Sequence, residues 1–327
     1  MRARLRSRLE ISPERYAQVT LVALAALSLI VLTGAAVRLT GSGLGCPDWP
    51  KCYGGTTPPL EAHAVIEYGN RLLTGFVGFA VIAACALAFF RRPYRWHLAL
   101  FGALLPLGVM GQAILGALVV KHHLAPELVM CHFILSMILL DAAFALAWCS
   151  RYEPSERRRS RDRLSVWAVR ALIPFGQLTI LAGTIATASG PHAGDHEGEL
   201  VQRFTFEGTG TLEWVVQRHA AIAAIYGITA IAVWLLLRRP DADRRALKPL
   251  TLVIALLALQ GVVGGVQWAL ELPAGIVWVH IALATGNWLA MLWTVASAGR
   301  LEPRAERTPE APVEGRRREA AAAGSSL

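Results

Sequence analysis

Eight stretches of about twenty residues with almost no charge run through this 327-residue chain, and each is long enough to cross a hydrocarbon core of about 30 Å. In lipid every backbone polar group must be satisfied within the protein, so only helices and closed barrels can span. Barrel strands alternate polar and apolar residues over about ten positions, and these runs do not alternate. Composition agrees, with 54% hydrophobic and 17% charged residues where a soluble domain carries roughly 45–50% and about 25%. A soluble enzyme, a disordered chain and a coiled coil are excluded. The expected fold is all-α, a polytopic membrane protein with spans near 17–37, 67–90, 97–119, 126–149, 167–187, 215–237, 249–270 and 275–297.

The formal net charge of +9 raises nucleic acid as a partner, and the placement of the charge answers it. With the N-terminus taken as cytoplasmic, the inside segments 1–15, 91–96, 150–170, 238–248 and 299–327 hold 26 of the 32 Lys and Arg residues. The other six, Arg38, Lys51, Arg71, Lys121, Arg203 and Arg218, fall in outer loops or at outer span ends. That is a positive-inside pattern. It predicts eight spans with both termini cytoplasmic, and it assigns the basic loops to topology and anionic lipid rather than to nucleic acid. The first span is too long for a signal-peptide core and is read as an uncleaved helix. The segment 299–327, rich in Glu, Arg, Pro and Ala without apolar periodicity, is expected to be a disordered tail.

A basic linker near the middle of the chain prompts a search for a repeat. Gly34 matches Gly183, Gly41 matches Gly190 and Asn70 falls on His219, all at an offset of 149. Gln112 matches Gln260, Gly116 matches Gly264 and His132 matches His280, all at 148. One single-residue gap therefore aligns two four-helix halves, 1–150 and 151–298. Four is even, so both halves thread the membrane in the same direction. A pseudo-two-fold axis along the membrane normal is expected.

The matched polar residues suggest chemistry. His132 opens the fourth predicted span, His219 the sixth and His280 the eighth, with Asn70 in the equivalent place of the second. A single intramembrane His commonly serves as a hydrogen-bonded core residue. A symmetric pair from facing helices, His219 and His280, is what a haem iron takes as axial ligands. Zinc would want three or four close ligands, and the second half offers no such set. Glu67 lies three residues before Asn70 and four before Arg71, so the three share a helix face. Its repeat position is Val216. Glu67 is thus either half of a helix-end ion pair with Arg71 or a proton-handling acid confined to the first half.

The first outer loop reads TGSGLGCPDWPKCYGG. Cys46 and Cys52 lie on the oxidising side, where a disulfide, a redox or haem-delivery thiol pair, or a metal site are all compatible with the spacing. Cys85, Cys131 and Cys149 fall within spans and are expected to be small apolar packers. In the matching loop of the second half, His192 and Asp195 belong either to a Gly/Pro turn with exposed polar residues or to a lid or propionate contact over a cofactor. Asp141, about half a helical revolution from His132, is expected to point elsewhere, into an intramembrane hydrogen bond. His63, His97, His122, His123 and His196 are loop or span-edge residues.

Taken together, TGSGLGCPDWPKCYG, EYGNRLLTG, SGPHAGD, and QGVVGG followed by LPAGIVWVH resemble the signature segments of the haem A synthases over roughly residues 17–297. The resemblance implies stepwise oxidation of a methyl group of haem O, through an alcohol, to the formyl group of haem A for cytochrome oxidase. It implies haem b held by His219 and His280 in the second half. It implies haem O as substrate in the first half, near His132, Asn70 and Arg71, with Glu67 as the essential acid and Cys46–Cys52 as a disulfide. Haem O synthase, oxidase assembly factors and an electron donor or acceptor are the implied partners, at the cell membrane. Two departures stand out. Many members of that family carry His where this chain has Asn70, a poor iron ligand, which leaves His132 as the strong ligand of the first half. Some carry a second cysteine pair in the later loop, absent here. The competing readings are a dihaem b-type electron-transfer protein and a two-repeat haem transporter. The first usually spreads its haems across both leaflets, and the second more often has repeat-matched broken helices.

Overall fold

The computed structural model describes residues 10–152, 160–194, 201–206 and 210–299. Asp195, His196 and the tail from 300 onward lie outside the described residues. Eight long helices follow in order: α1 Pro13–Leu39, α2 Ala62–Phe90, α3 Trp96–Lys121, α4 Pro126–Arg151, α5 Arg163–Ser189, α6 Thr211–Leu236, α7 Leu247–Ala269 and α8 Ala274–Ala298. All eight are long and apolar enough to span a membrane, and the described residues contain isolated bridges but no strand. The protein is an all-helical, multi-pass membrane protein. Large apolar side chains such as Phe76, Phe79 and Ile228 face outward, as lipid contact requires.

Local chemistry sets the helix ends. Ser12 caps α1 by accepting from the Arg15 amide, with Pro13 at the first helical position where its missing N–H costs nothing. Asp162 caps α5 through the Ser165 amide. α1, α2, α5 and α6 start about a turn before their apolar windows, because a helix can continue past the hydrocarbon edge, while the other four start within two residues of theirs. Asn70, His132, His219 and His280 lie about two turns inside their helices rather than at the openings.

In the first half α1 packs on α2 and α4, and α3 on α2 and α4, which closes a ring of four. The same pattern recurs for α5 to α8. The rings meet through α1 on α8, α4 on α5, and α4 on α8, contacts that a two-fold relation interchanges. Even the turns repeat. His123 and Leu124 between α3 and α4, and Glu271 and Leu272 between α7 and α8, take left-handed φ values of 50°, 58°, 59° and 62°. Each turn closes alike, Leu124 N–H to Val119 O and Leu272 N–H to Gln267 O. Non-glycine residues rarely adopt this conformation, so two matched doublets echo the sequence repeat in the backbone.

Polar contacts stitch the halves together. Arg38 donates to Thr187 O at 2.7 Å, the Gly43 amide to Gly194 O at 2.9 Å, and Trp278 Nε1 to Leu32 O at 3.0 Å. Trp288 Nε1 donates to Asp141 Oδ1 at 2.7 Å, the intramembrane hydrogen bond expected of Asp141. Cys149 is buried and Cys85 half-buried, as packers are, whereas Cys131 sits on the exposed face of α4. Its neighbour His132 takes the inward position on that helix, which turns Cys131 away.

Candidate haem sites

One cavity of about 1240 Å³ runs between the helices of both halves and is lined by Glu67, Asn70, Arg71, His132, His219 and His280. Pockets for drug-sized ligands run about 300–1,000 Å³, so this cavity is larger than a single such site needs. The sequence repeat thus converges on a single lined space.

The matched glycines explain how the histidines fit. A Cβ on Gly183 of α5 would lie 2.9 Å from His219 Cε1, one on Gly264 of α7 3.4 Å from His280 Cε1, and one on Gly116 of α3 3.5 Å from His132 Cε1. Each imidazole rests against a bare patch of a neighbouring helix. On the Asn70 side the corresponding glycine is Gly34, where an added methyl group would meet nothing within 4 Å. The shorter amide leaves that notch open and instead shares a 2.8 Å hydrogen bond with Thr33 Oγ1 on α1. The matched glutamines brace the backbone of the ligand helices. Gln112 donates to His132 O at 3.0 Å and to Ser136 Oγ at 2.7 Å, and Gln260 donates to His280 O at 3.4 Å.

The His219 and His280 ring centroids are 6.3 Å apart, with the planes at 70°. Metal–imidazole bonds run about 2.0–2.1 Å, so an atom midway between two opposed rings implies centroids about 6 Å apart. The Nδ1 atoms of His132 and His280 are buried without a hydrogen-bond partner, an expensive state for a polar group unless something else engages the ring. Among the described residues no group of three or more His, Cys, Asp or Glu gathers as a metal cage. Paired imidazoles beside a large apolar cavity fit a haem and do not fit zinc.

Glu67 is buried, and both carboxylate oxygens are engaged. Arg71 ion-pairs with Oε1, and the Cys46 amide donates to Oε2 at 2.8 Å. Arg71 also donates through Nη1 to Asp48 O at 2.8 Å and Lys51 O at 2.9 Å, and through Nη2 to Cys46 O at 3.4 Å. Cys46 and Cys52 form a disulfide within that loop, both fully buried. The loop, its bridge and the Glu67–Arg71 pair are one unit, pinned over the first half of the cavity. Sequence spacing pointed to Glu67–Arg71; the loop carbonyls left no sequence signal.

Several other histidines have structural partners. His63 Nδ1 meets Ser42 Oγ at 3.0 Å, and His97 Nε2 meets Arg95 at 2.8 Å. His192 lines the cavity but donates its Nε2 proton to Leu272 O at 2.6 Å, tying its loop to the α7–α8 turn. Of the two expectations for that loop, the tie made by His192 is a structural one; Asp195 lies outside the described residues.

The cytochrome oxidase assembly protein family (COX15-CtaA) matches residues 17–65 and 60–194, more than half of the chain. The chain belongs to this family. Among similar proteins, one named heme A synthase from Exiguobacterium sibiricum is 34% identical over 116 residues, 34% of this chain and 38% of that protein. Another of that name from Bacillus cereus is 26% identical over 216 residues, 64% of this chain and 68% of the relative. One from Bacillus mycoides is 25% identical over 245 residues, covering 73% and 78%. The matching segments thus span under two fifths of the first relative and about two thirds or more of the others.

Proposed function

We propose that this chain is a haem A synthase, oxidising a methyl group of haem O to a formyl group through an alcohol, with a resident haem b in the second half and the substrate in the first. The observation that carries the two-site reading is the His219–His280 pair, with its glycine notches repeated at His132 and left empty on the Asn70 side. A cofactor half keeps two imidazoles. A substrate half keeps one, beside a carboxylate that the cofactor half lacks. A dihaem electron carrier has no need for that asymmetry.

When bound, haem b supplies one-electron transfer. The protein's part there is to hold. His219 and His280 would hold it through their ring nitrogens, Gly183 and Gly264 make room for the rings, and Gln260 braces the His280 backbone. In the first half His132 would hold the substrate iron, and Asn70, a poor iron ligand bonded to Thr33 Oγ1, would leave room for a small reactant. Glu67, with both oxygens engaged by Arg71 and the Cys46 amide, acts as a fixed negative charge that stabilises positive charge developing at the reacting methyl carbon. A carboxylate so engaged suits fixed electrostatics better than proton carriage. Arg71, with its donors committed to the loop and to Glu67, acts on the substrate by positioning that charge. Haem O synthase, oxidase assembly factors and an electron donor or acceptor are the partners this reaction calls for.

The deciding test is spectroscopic and chemical. Purified protein should show a low-spin b-type haem that His219→Ala or His280→Ala abolishes while the protein still accumulates. Cells that also make haem O should then accumulate haem A. Retention of the low-spin spectrum in both single variants overturns the ligand assignment, and absence of haem A overturns the activity.

A further inference from the structure

A guanidinium sits where the halves meet. Arg38, in the last turn of α1, donates through Nη2 to Thr187 O on α5 at 2.7 Å, while its Nε is buried without a partner. Among the described residues no carboxylate pairs with it, and the charge that acts on it is another cation, Arg203. The side chain lines the shared cavity, whose walls are mainly apolar. Gly194, held at φ +100°, lies close enough over the Arg38 stem that an added Cβ would meet Arg38 Cγ at 3.3 Å, so the loop fixes the stem in place. Withdrawing a guanidinium from water is costly unless an anion accompanies it. Its planar fork suits a carboxylate, which it can engage with two parallel hydrogen bonds.

The location indicates which occupant brings that anion. Thr187 lies one turn outward from Gly183, the glycine against which His219 rests. The guanidinium of a first-half residue thus hangs over the edge of the second-half histidine pair. The arrangement is one-way, because the repeat counterpart of Arg38 is Thr187 itself. The Thr187 hydroxyl is turned back to Gly183 O at 2.7 Å and offers the first half nothing in return.

We propose that Arg38 binds a propionate carboxylate of the porphyrin held between His219 and His280, so that the first half completes the cofactor site of the second. This rests on the haem reading given above. It also assigns a role to a residue whose position alone suggested only an outer span end.

The test uses full-length protein in membranes of haem-deficient cells, supplied with haemin or haemin dimethyl ester, which lacks free carboxylates. Low-spin absorbance is read against concentration. Wild type should half-saturate with haemin at a concentration at least tenfold below that for the ester. Arg38→Gln should take up haemin at least tenfold more weakly and distinguish the two by less than twofold. Arg38→Lys, which keeps the charge but not the fork, should show a reduced preference. A full preference retained in Arg38→Gln overturns the proposal, as does a wild type indifferent to esterification. Should Arg38→Gln not accumulate, Arg38→Lys decides: a reduced preference supports the proposal and an unchanged one overturns it. If neither porphyrin gives a low-spin spectrum in wild type, the haem reading fails and this inference with it. A low-spin spectrum whose ester preference ignores Arg38 overturns this inference alone.

Discussion

Placing one methyl group in each of the four matched glycine notches separates the fold from the site, because the two respond with opposite sign. Within a helix, Gly→Ala favours folding by up to about 1 kcal/mol. At Gly183 the new Cβ would sit 2.9 Å from His219 Cε1, whereas ordinary contact begins at 3.4 Å, so the ring must retreat by about half an ångström. Overpacking of this kind costs about 1–3 kcal/mol, and at 1.4 kcal/mol per factor of ten that is roughly a fivefold to hundredfold loss of affinity for whatever the ring holds. At Gly264 and Gly116 the contacts would be 3.4 Å and 3.5 Å, and at Gly34 nothing lies within 4 Å. The haem b content per protein, measured as haemochrome after purification with the low-spin spectrum as a check, should fall strongly in Gly183→Ala and slightly in Gly264→Ala. It should stay at the wild-type level in Gly34→Ala and Gly116→Ala. All four variants should accumulate at least as well as wild type. A full, unshifted low-spin haem in Gly183→Ala, or haem b loss in Gly34→Ala, would refute the view that these glycines exist to seat the imidazoles.

Three further expectations follow from the site and the loops. Glu67→Gln keeps the size of the side chain but removes its charge, so the extracted haem A to haem O ratio should fall by about tenfold to a hundredfold with haem b unchanged; a wild-type ratio returns Glu67 to a structural ion pair. Cys46 and Cys52 should resist alkylation until a reductant is added, and replacing both with Ser should lower haem A without removing haem b, since the Cys46 amide holds Glu67 Oε2; free reactivity before reduction would contradict the bridge. Asp243 has its carboxyl pushed down to about 2 chiefly by the Arg245 side chain. Its contribution to stability is therefore complete above the ordinary Asp value of about 3.9 and lost as pH falls through about 2. The melting temperature in detergent should carry an Asp243 contribution that is constant from pH 8 to 5 and shrinks between 4 and 2, and Asp243→Asn should lessen that acid loss. An equal loss in the variant would clear Asp243 of the effect.

Hydropathy and the two offsets of 149 and 148 carried a great deal without coordinates: eight helices, and the correspondence of His219 and His280 with Asn70 and His132. These properties are local or periodic. A span needs only its own twenty residues to be apolar, and a duplicated half carries its ligands at a constant interval. Helix spacing likewise placed Glu67 beside Arg71, because residues four apart share a face. What the tertiary structure decided are the contacts that run across helices. Glu67 and the Cys46 amide are separated by 21 positions, and Asp141 and Trp288 by 147. Nothing in either segment's own pattern specifies such a partner. The same holds for the glycines, visible in sequence as repeats but intelligible as notches only once α5 lies against α6 and α7 against α8. It holds most of all for Arg38. In the chain it is one basic residue at an outer span end; in the fold its Nε is shut off from water and its Nη2 reaches Thr187 O of the opposite half, because only the seating of the first half against the second brings the two together.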